Sequence, residues 1–331
     1  MKLPMKFITT LAAIASIVSM QGCSITEQSE QQGIEISTMY DYVLHDSKNK
    51  LPTSIEQISE NLKDIDVIFI GEYHSHSASH KLQADLLTAL YLRNKRLVLT
   101  MEQFSRDKQQ VLDQYLDNEI GEQTLINEGD AWENYRSDYR PLIEFAKSNQ
   151  LPVFAANTPL SIVRCVARKG PEFIKTLDSE KELWVATDIT TNTSAYQDKF
   201  ISAMMHHKAN KSPNSKITLN NSFYAQLARD NTMAESIYNA HVKYPKSQIV
   251  HFNGAFHSNH YLGTVDALTR IAPNLNIAII SPNFLDEKVD WTKGDYIYKL
   301  KPLPARYIKN ENKEKSIVKM INSRSKRKCE L

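Results

Sequence analysis

Two kinds of apolar run alternate along the chain, and their alternation sets the expected fold. Val67, Ile68, Phe69 and Ile70 are apolar without a break and give way at once to Gly71, Glu72, Tyr73, His74, Ser75 and His76. An unbroken run of that length suits a strand buried on both faces, as in a parallel sheet. Helical spacing follows over 78–92, and the succession then repeats. Residues 96–101 read as a strand closing on Glu102, and a helix begins at 107 with Val111, Leu112, Tyr115 and Leu116 on one face. Shorter helices are predicted at 122–128 and 139–149, then a strand at 151–156 that ends at Asn157. Thr158 as N-cap and Pro159 as first helical residue start a helix running to about 168.

Beyond 170 the patterning weakens. Residues 171–219 read as an insertion or cap, followed by a long helix at 221–244 and a strand at 248–252 that ends in Asn253, Gly254, Ala255, Phe256 and His257. A helix from 265 and strands at 277–281 and 296–300 complete the series. Strands alternating with helices predict an α/β fold: a mostly parallel central sheet flanked by helices, with a smaller helical part over about 105–150 and 171–245.

The ends of the chain read differently. Lys2 and Lys6 precede an apolar stretch at 7–20 that is too short to span a bilayer, followed by Gly22-Cys23, the pattern of an export signal. A small residue before the cysteine resembles the bacterial lipobox. That implies a signal peptide over 1–22, a lipidated Cys23 carrying palmitate, and a polar tether over 23–38. Ser24 after the cysteine favours the outer membrane, with the lipid anchor as the membrane contact. The folded domain is expected over 39–308, and 309–331 reads as a basic, partly disordered extension.

Composition adds two limits. A net charge of +2 argues against nucleic acid as a partner. Besides Cys23 only Cys165 and Cys329 remain; Cys165 lies on an apolar helical face and reads as a small core residue, with a bond to Cys329 left open.

In a parallel sheet the carboxyl ends of the strands share one edge. Glu72 and His74, Glu102, Asn157, and Asn253 with His257 are thereby gathered into one crevice. Their types suit a divalent metal such as zinc that activates water, or equally the satisfaction of loop amides and helix N-termini. A second constellation runs from Trp132 to Arg140. Tyr135 and Tyr139, interleaved with Arg136 and Arg140, offer a face for a flat ligand and a phenolate for ferric iron, or else simply pack a helix on the sheet. His206 and His207, beside Met204 and Met205, are of haem-ligand type. Gln226, Arg229, Asp230 and Met233 share one helix face, and a buried polar stripe there needs partners in the crevice.

Several blocks taken together resemble a known family: GEYHSHSASH, TMEQF, WENYRSDYRPLIEFAK, LPVFAANTPLSIVRCVARKG, QLARDNTMAESIY and FNGAFHSNHYLG. In that order, over roughly 60–300, they are similar to the ChaN-like haem-binding lipoproteins, grouped with Tiki and erythromycin-esterase-like proteins. The shared motifs correspond here to Gly71, Glu72, His74, Glu102 and His257. The resemblance implies an outer-membrane lipoprotein that binds haem for iron uptake or storage, with a haem receptor in that membrane as a further partner. It also implies a homodimer holding two haems face to face, with iron on a tyrosine and a partner histidine at a propionate. Tyr139, Tyr196 and Tyr135 are the tyrosine candidates; His206 and His207 are those for the propionate. A binding protein is preferred over an enzyme, and the competing reading is a metal-dependent hydrolase using Glu72, His74, Glu102 and His257.

Overall fold

In a computed structural model, which describes residues 36–190, 194–205, 215–326 and Cys329, the chain runs β1 (Tyr42–Asp46), β2 (Pro52–Thr53), α1 (Ile55–Asn61), β3 (Val67–Glu72), α2 (Ser77–Arg93) and β4 (Leu97–Ser105). It continues through α3 (Gln109–Leu116), α4 (Glu122–Glu128), a π-turn (Tyr135–Tyr139), α5 (Arg140–Ser148), β5 (Val153–Asn157) and α6 (Leu160–Lys169). Next come α7 (Ser179–Glu182), α8 (Ser194–Met205), α9 (Ser215–Lys243), β6 (Gln248–Gly254), α10 (Thr264–Ile271), β7 (Ile277–Phe284), β8 (Tyr296–Leu300) and α11 (Asn310–Lys326). The expected signal peptide, Cys23, nearly all of the tether, and His206 and His207 lie outside the described residues.

One sheet holds all eight strands in the order β2-β1-β8-β7-β3-β6-β4-β5. β8, β7, β3, β6, β4 and β5 are mutually parallel, while β1 and β2 form an antiparallel edge. The predicted α/β class and parallel sheet are therefore present. Successive side chains of a strand point to opposite faces, and β3 shows what that requires of a sheet covered twice. Ile68 and Ile70 join Leu82, Leu86 and Leu90 of α2 in one core, whereas Val67 and Phe69 join Ile237 and Ala240 of α9 and Leu268 of α10 in the other. Both faces need apolar residues, so the strand carries no alternation.

α9 links the sheet to the helical part. Its C-terminal half packs on the sheet through Ala234 and Ile237, and its N-terminal half presents Phe223, Ala225, Leu227 and Ala228 to α6, α8 and the segment between them. Asp230 and Arg229 stand where the two halves meet, directly over the strand ends.

The structure differs from the expected pattern at several points. β4 and β6 run past the apolar residues to Ser105 and Gly254, so Glu102 and Asn253 lie inside strands rather than after them. Thr158 is not the cap of α6: Pro159 occupies that position, and the Thr158 hydroxyl instead donates to Thr232 Oγ1 of α9 at 2.7 Å. β1, β2 and α1 precede the first expected strand. The basic tail is helical over Asn310–Lys326, and buried Cys165 is bonded to Cys329 in a disulfide with a Cα separation of 5.0 Å.

Candidate functional site

Gly71 and Glu72 end β3, and the chain turns there so that α2 can begin. His76 closes the turn: its Nδ1 accepts from the Ala78 amide at 3.2 Å and its Nε2 donates to the Lys301 carbonyl at 2.8 Å. It is a capping residue, spent on backbone, and takes no part in the crevice. Glu72 is buried at the floor. Its Oε1 accepts from His74 Nδ1 and from the Tyr139 hydroxyl, each at 2.7 Å, and its Oε2 accepts from Gln83 Nε2 at 2.7 Å. With Nδ1 tied to Glu72, the His74 ring presents Nε2 across the crevice toward Gly254. A Cβ added at Gly254 would lie 2.6 Å from that nitrogen, so only glycine allows the approach.

Glu102 forms the second half of the floor. Its Oε2 accepts from the Gly254 amide at 2.6 Å, and its Oε1 takes a hydrogen bond from Arg229 Nη2 and lies 3.3 Å from His257 Nε2. The other ring nitrogen of His257 meets Asp230 Oδ1 at 2.6 Å. Asp230 is buried and also accepts from Tyr196 at 2.7 Å and Thr264 at 2.9 Å. Gln226 Nε2 reaches both the Tyr196 hydroxyl and His257 Nδ1, at 3.1 Å each. The polar face of α9 therefore finds its partners in the strand-end residues, and Glu102, Arg229, His257 and Asp230 make a compact group of alternating charge.

Electrostatics follow from that packing. Burial disfavours the Glu102 charge, yet His257 and Arg229 outweigh it and hold the carboxyl well below its ordinary range. Burial likewise works against charged His257, but Glu102 and Asp230 raise it to about 9. His74 is also raised: the desolvation of its ring is overcome by the hydrogen bond to Glu72 and the charge of Glu102. His251, inside β6, shows the contrast. It has no carboxylate partner, bonds Thr100 Oγ1 through Nδ1 at 2.8 Å, and burial lowers it to about 3.

Of the expected crevice residues, Glu72, His74, Glu102 and His257 converge. Asn157 supports them, donating to the Glu102 carbonyl at 2.9 Å and accepting from Arg229 Nε at 3.3 Å. Asn253 turns away to hold the next turn, donating to the Gly254 carbonyl and to Ser258 Oγ. The expected divalent metal finds no ligand set: among the described residues no three His, Cys, Asp or Glu side chains are arranged to hold one. Each carboxylate is already committed to imidazole, guanidinium, amide or hydroxyl donors.

The tyrosine candidates need correction. Tyr139 and Tyr196 have no exposed surface, and Tyr135 has 2 %. Tyr139 donates to Glu72 and Tyr196 to Asp230, so burial and a facing carboxylate both raise their phenols and oppose a phenolate. The arginines expected to favour one face elsewhere: Arg136 donates to Gln123 at 2.7 Å and Arg140 pairs with Glu122. Tyr135 sits in the π-turn with its hydroxyl buried and without a partner, and burial raises it. As placed, none of the three offers its oxygen to a macrocycle.

Sequence patterning missed several contributors. Gln83, a polar residue on the buried face of α2, was a signal in plain view. Tyr298, whose hydroxyl donates to the Gly71 carbonyl at 2.7 Å and lies 2.9 Å from the Ser79 hydroxyl, lay in an unremarkable strand. Gln103 and Arg164 lay inside matched blocks but carried no periodic mark. Both line a cavity of about 760 Å³ that opens above His74 and Arg229, between the ends of β4 and β5, the Trp132 loop and the start of α6.

A parallel α/β sheet with paired carboxylates and histidines at its carboxyl edge defines a class of scaffold rather than one activity. The family model described as "Haem-binding uptake, Tiki superfamily, ChaN" matches residues 58–268, a span that includes β3 to β6 and every crevice residue, and the chain belongs to that family. Among solved structures it is similar to the protein described as "Cofacial heme binding to ChaN of Campylobacter jejuni", with a TM-score of 0.63 and 17 % identity, covering 79 % of this chain and 98 % of that one. It also has a looser likeness to a mutant of the erythromycin esterase EreC in its open conformation, with a TM-score of 0.44 and 14 % identity over 84 % and 87 % of the two chains. A curated relative, the chloroplastic protein RETICULATA-RELATED 5 of Arabidopsis thaliana, is 24 % identical over 197 residues. The match takes in 56 % of this chain but only 26 % of that protein's length.

Proposed function

We propose that this protein binds haem as an exported lipoprotein, anchored to the outer membrane through Cys23, and that it holds the haem as a face-to-face pair between two copies of the chain. Membership of the ChaN family is the observation that carries the reading, and the fold shared with the Campylobacter jejuni protein supports the pairing. The Cys165–Cys329 disulfide supports export, because such bonds persist in oxidising compartments. Delivery to or from an outer-membrane haem receptor follows from the same reading.

The iron ligand is the part that the described residues constrain most. A phenolate for ferric iron is most readily supplied by a ring that reaches the surface, as Tyr40, at 61 % exposure, and Tyr307, at 39 %, do; Tyr261, at 43 %, also reaches it, but burial and Asp295 raise its phenol. Haem titrated into the purified protein tests the proposal: a saturable Soret change at one haem per chain, with sedimentation shifting from monomer to dimer as haem fills, is the expected result. A Soret band that grows without saturation, as free haem gives, would end it. Tyr40→Phe, Tyr307→Phe and Tyr261→Phe then identify the ligand by loss of the tyrosinate charge-transfer band.

A further inference from the structure

The cavity above His74 has features that a haem site does not need. Charged and polar side chains, among them His74, Glu102, Gln103, Arg164 and Arg229, stand around it beside apolar ones, and its volume falls in the range of small-ligand sites. Gln103 lies on its wall with 3 % exposure, and neither its amide nitrogen nor its amide oxygen bonds any protein atom. A buried amide left unpaired on both sides costs free energy, and native proteins keep few of them. Arg164, half-buried on α6, lines the same space, and among the described residues it has no carboxylate or carbonyl partner.

The other charges in the cavity are already matched. Arg229 is held by Glu102, Asp107 accepts from Ser105 at 2.6 Å, and Asp130 pairs with Lys108 at 3.1 Å. What remains open is one guanidinium, one amide that both donates and accepts, and the Nε2 face of His74 beside the edge of Trp132, whose ring centroid is 5.3 Å from that of the imidazole. A planar fork of donors matches a carboxylate, and a primary amide matches a group that offers both a donor and an acceptor.

We infer that this cavity is a binding site for a small organic acid, its carboxylate on Arg164 and a second hydrogen-bonding group on Gln103. The site is separate from the haem reading and does not depend on it. Gln103 then recognises ligand by being poorly satisfied without it. A site of this kind trades stability for recognition, and the trade is measurable.

The test is calorimetry and thermal melting of the full purified chain with acetate, malate, citrate and N-acetylglutamate, with inorganic phosphate as the comparison anion. At least one of the acids binds saturably at one site per chain and raises the melting midpoint. Arg164→Ala weakens that binding by about tenfold or more. Gln103→Leu weakens it as well, while its ligand-free midpoint is no lower than that of the wild type, because an unpaired amide has been exchanged for an apolar group of similar size. Lys175→Ala, at an exposed pair with Glu172, leaves binding unchanged. The inference is overturned by any one of three results: no saturable binding of any acid, binding retained in both Arg164→Ala and Gln103→Leu, or phosphate bound as tightly as the best acid. Haem added to saturation leaves the acid's affinity unaltered. One-for-one competition between them would make the cavity the seat of the haem propionates, and the separate site would be discarded.

Discussion

His257 is held between Asp230 Oδ1, 2.6 Å from its Nδ1, and Glu102, 3.3 Å from its Nε2, so that a single imidazole joins α9 to β4 across the strand ends. The ring is buried and raised to about 9, whereas a histidine in the unfolded chain titrates near ~6.5. A raised folded value means that the folded state holds its proton more tightly. The resulting stability is fully present below pH ~6.5 and is lost as pH rises through about 9. Such a difference corresponds to roughly 3 kcal/mol. Melting midpoints measured from pH 6 to 10 therefore fall across that window, and Asp230→Asn flattens the fall. A wild-type midpoint that stays level up to pH 9 would show that the ring is not protonated in the folded protein.

Gly254 and His74 make a second coupled pair. Adding a methyl at Gly254 places it 2.6 Å from His74 Nε2, and the imidazole has to leave Glu72 to make room. Gly254→Ala is expected to cost roughly 1–3 kcal/mol, in the manner of an overpacked core. It should also bring the His74 titration, followed by NMR, down from its raised position toward the ordinary histidine value. An unshifted His74 titration in that variant would mean that the ring has another way to stay on Glu72.

The disulfide closes a loop of 164 residues between α6 and the C-terminal segment. Cross-links over loops of that length restrict the unfolded chain and typically contribute 2–4 kcal/mol. Cys329→Ser and reduced wild type should therefore melt alike, both below oxidised wild type. If reductant lowers the midpoint of Cys329→Ser as much as that of wild type, the effect comes from elsewhere.

The contrast between legible and hidden features has a physical basis. The run from Val67 to Ile70 announced a doubly covered strand because both of its faces are apolar, and helix α4 emerged over the very residues its spacing marked. β1 was not legible: Tyr42–Asp46 is a short edge strand whose identity comes from pairing with β8, a partner more than 250 positions away. Site residues divided in the same way. The crevice could be assembled from the sequence because parallel topology brings Glu72, Glu102 and His257 together. The tyrosines could not be read, because the interleaved arginines that suggested a phenolate point to Gln123 and Glu122, while the groups that the phenols meet, Glu72 and Asp230, come from β3 and α9. Gln103 and Arg164 are marked only by a missing partner, which no sequence pattern records.

Targeting has its own test. If Cys23 carries the lipid, labelled palmitate is incorporated into the wild type and absent from Cys23→Ser, which remains an uncleaved or soluble exported form. Equal labelling of the two would remove the lipoprotein reading while leaving haem binding open.

The interior tyrosines give the sharpest separation between a structural and an iron-binding role. Tyr139 and Tyr196 each donate to a buried carboxylate at 2.7 Å, and a hydrogen bond to a charged group contributes about 1.5–3 kcal/mol. Removing the hydroxyl leaves the ring packing intact and deprives Glu72 or Asp230 of one donor. Tyr139→Phe and Tyr196→Phe should therefore each lower stability by about that amount in denaturant titrations. Their haem spectra should match the wild type, because an iron-bound phenolate would first have to surrender the carboxylate contact and then cross the packing that buries the ring. Loss of the tyrosinate band in either variant, with stability unchanged, would place that oxygen on iron and require the π-turn or α8 to open when haem binds.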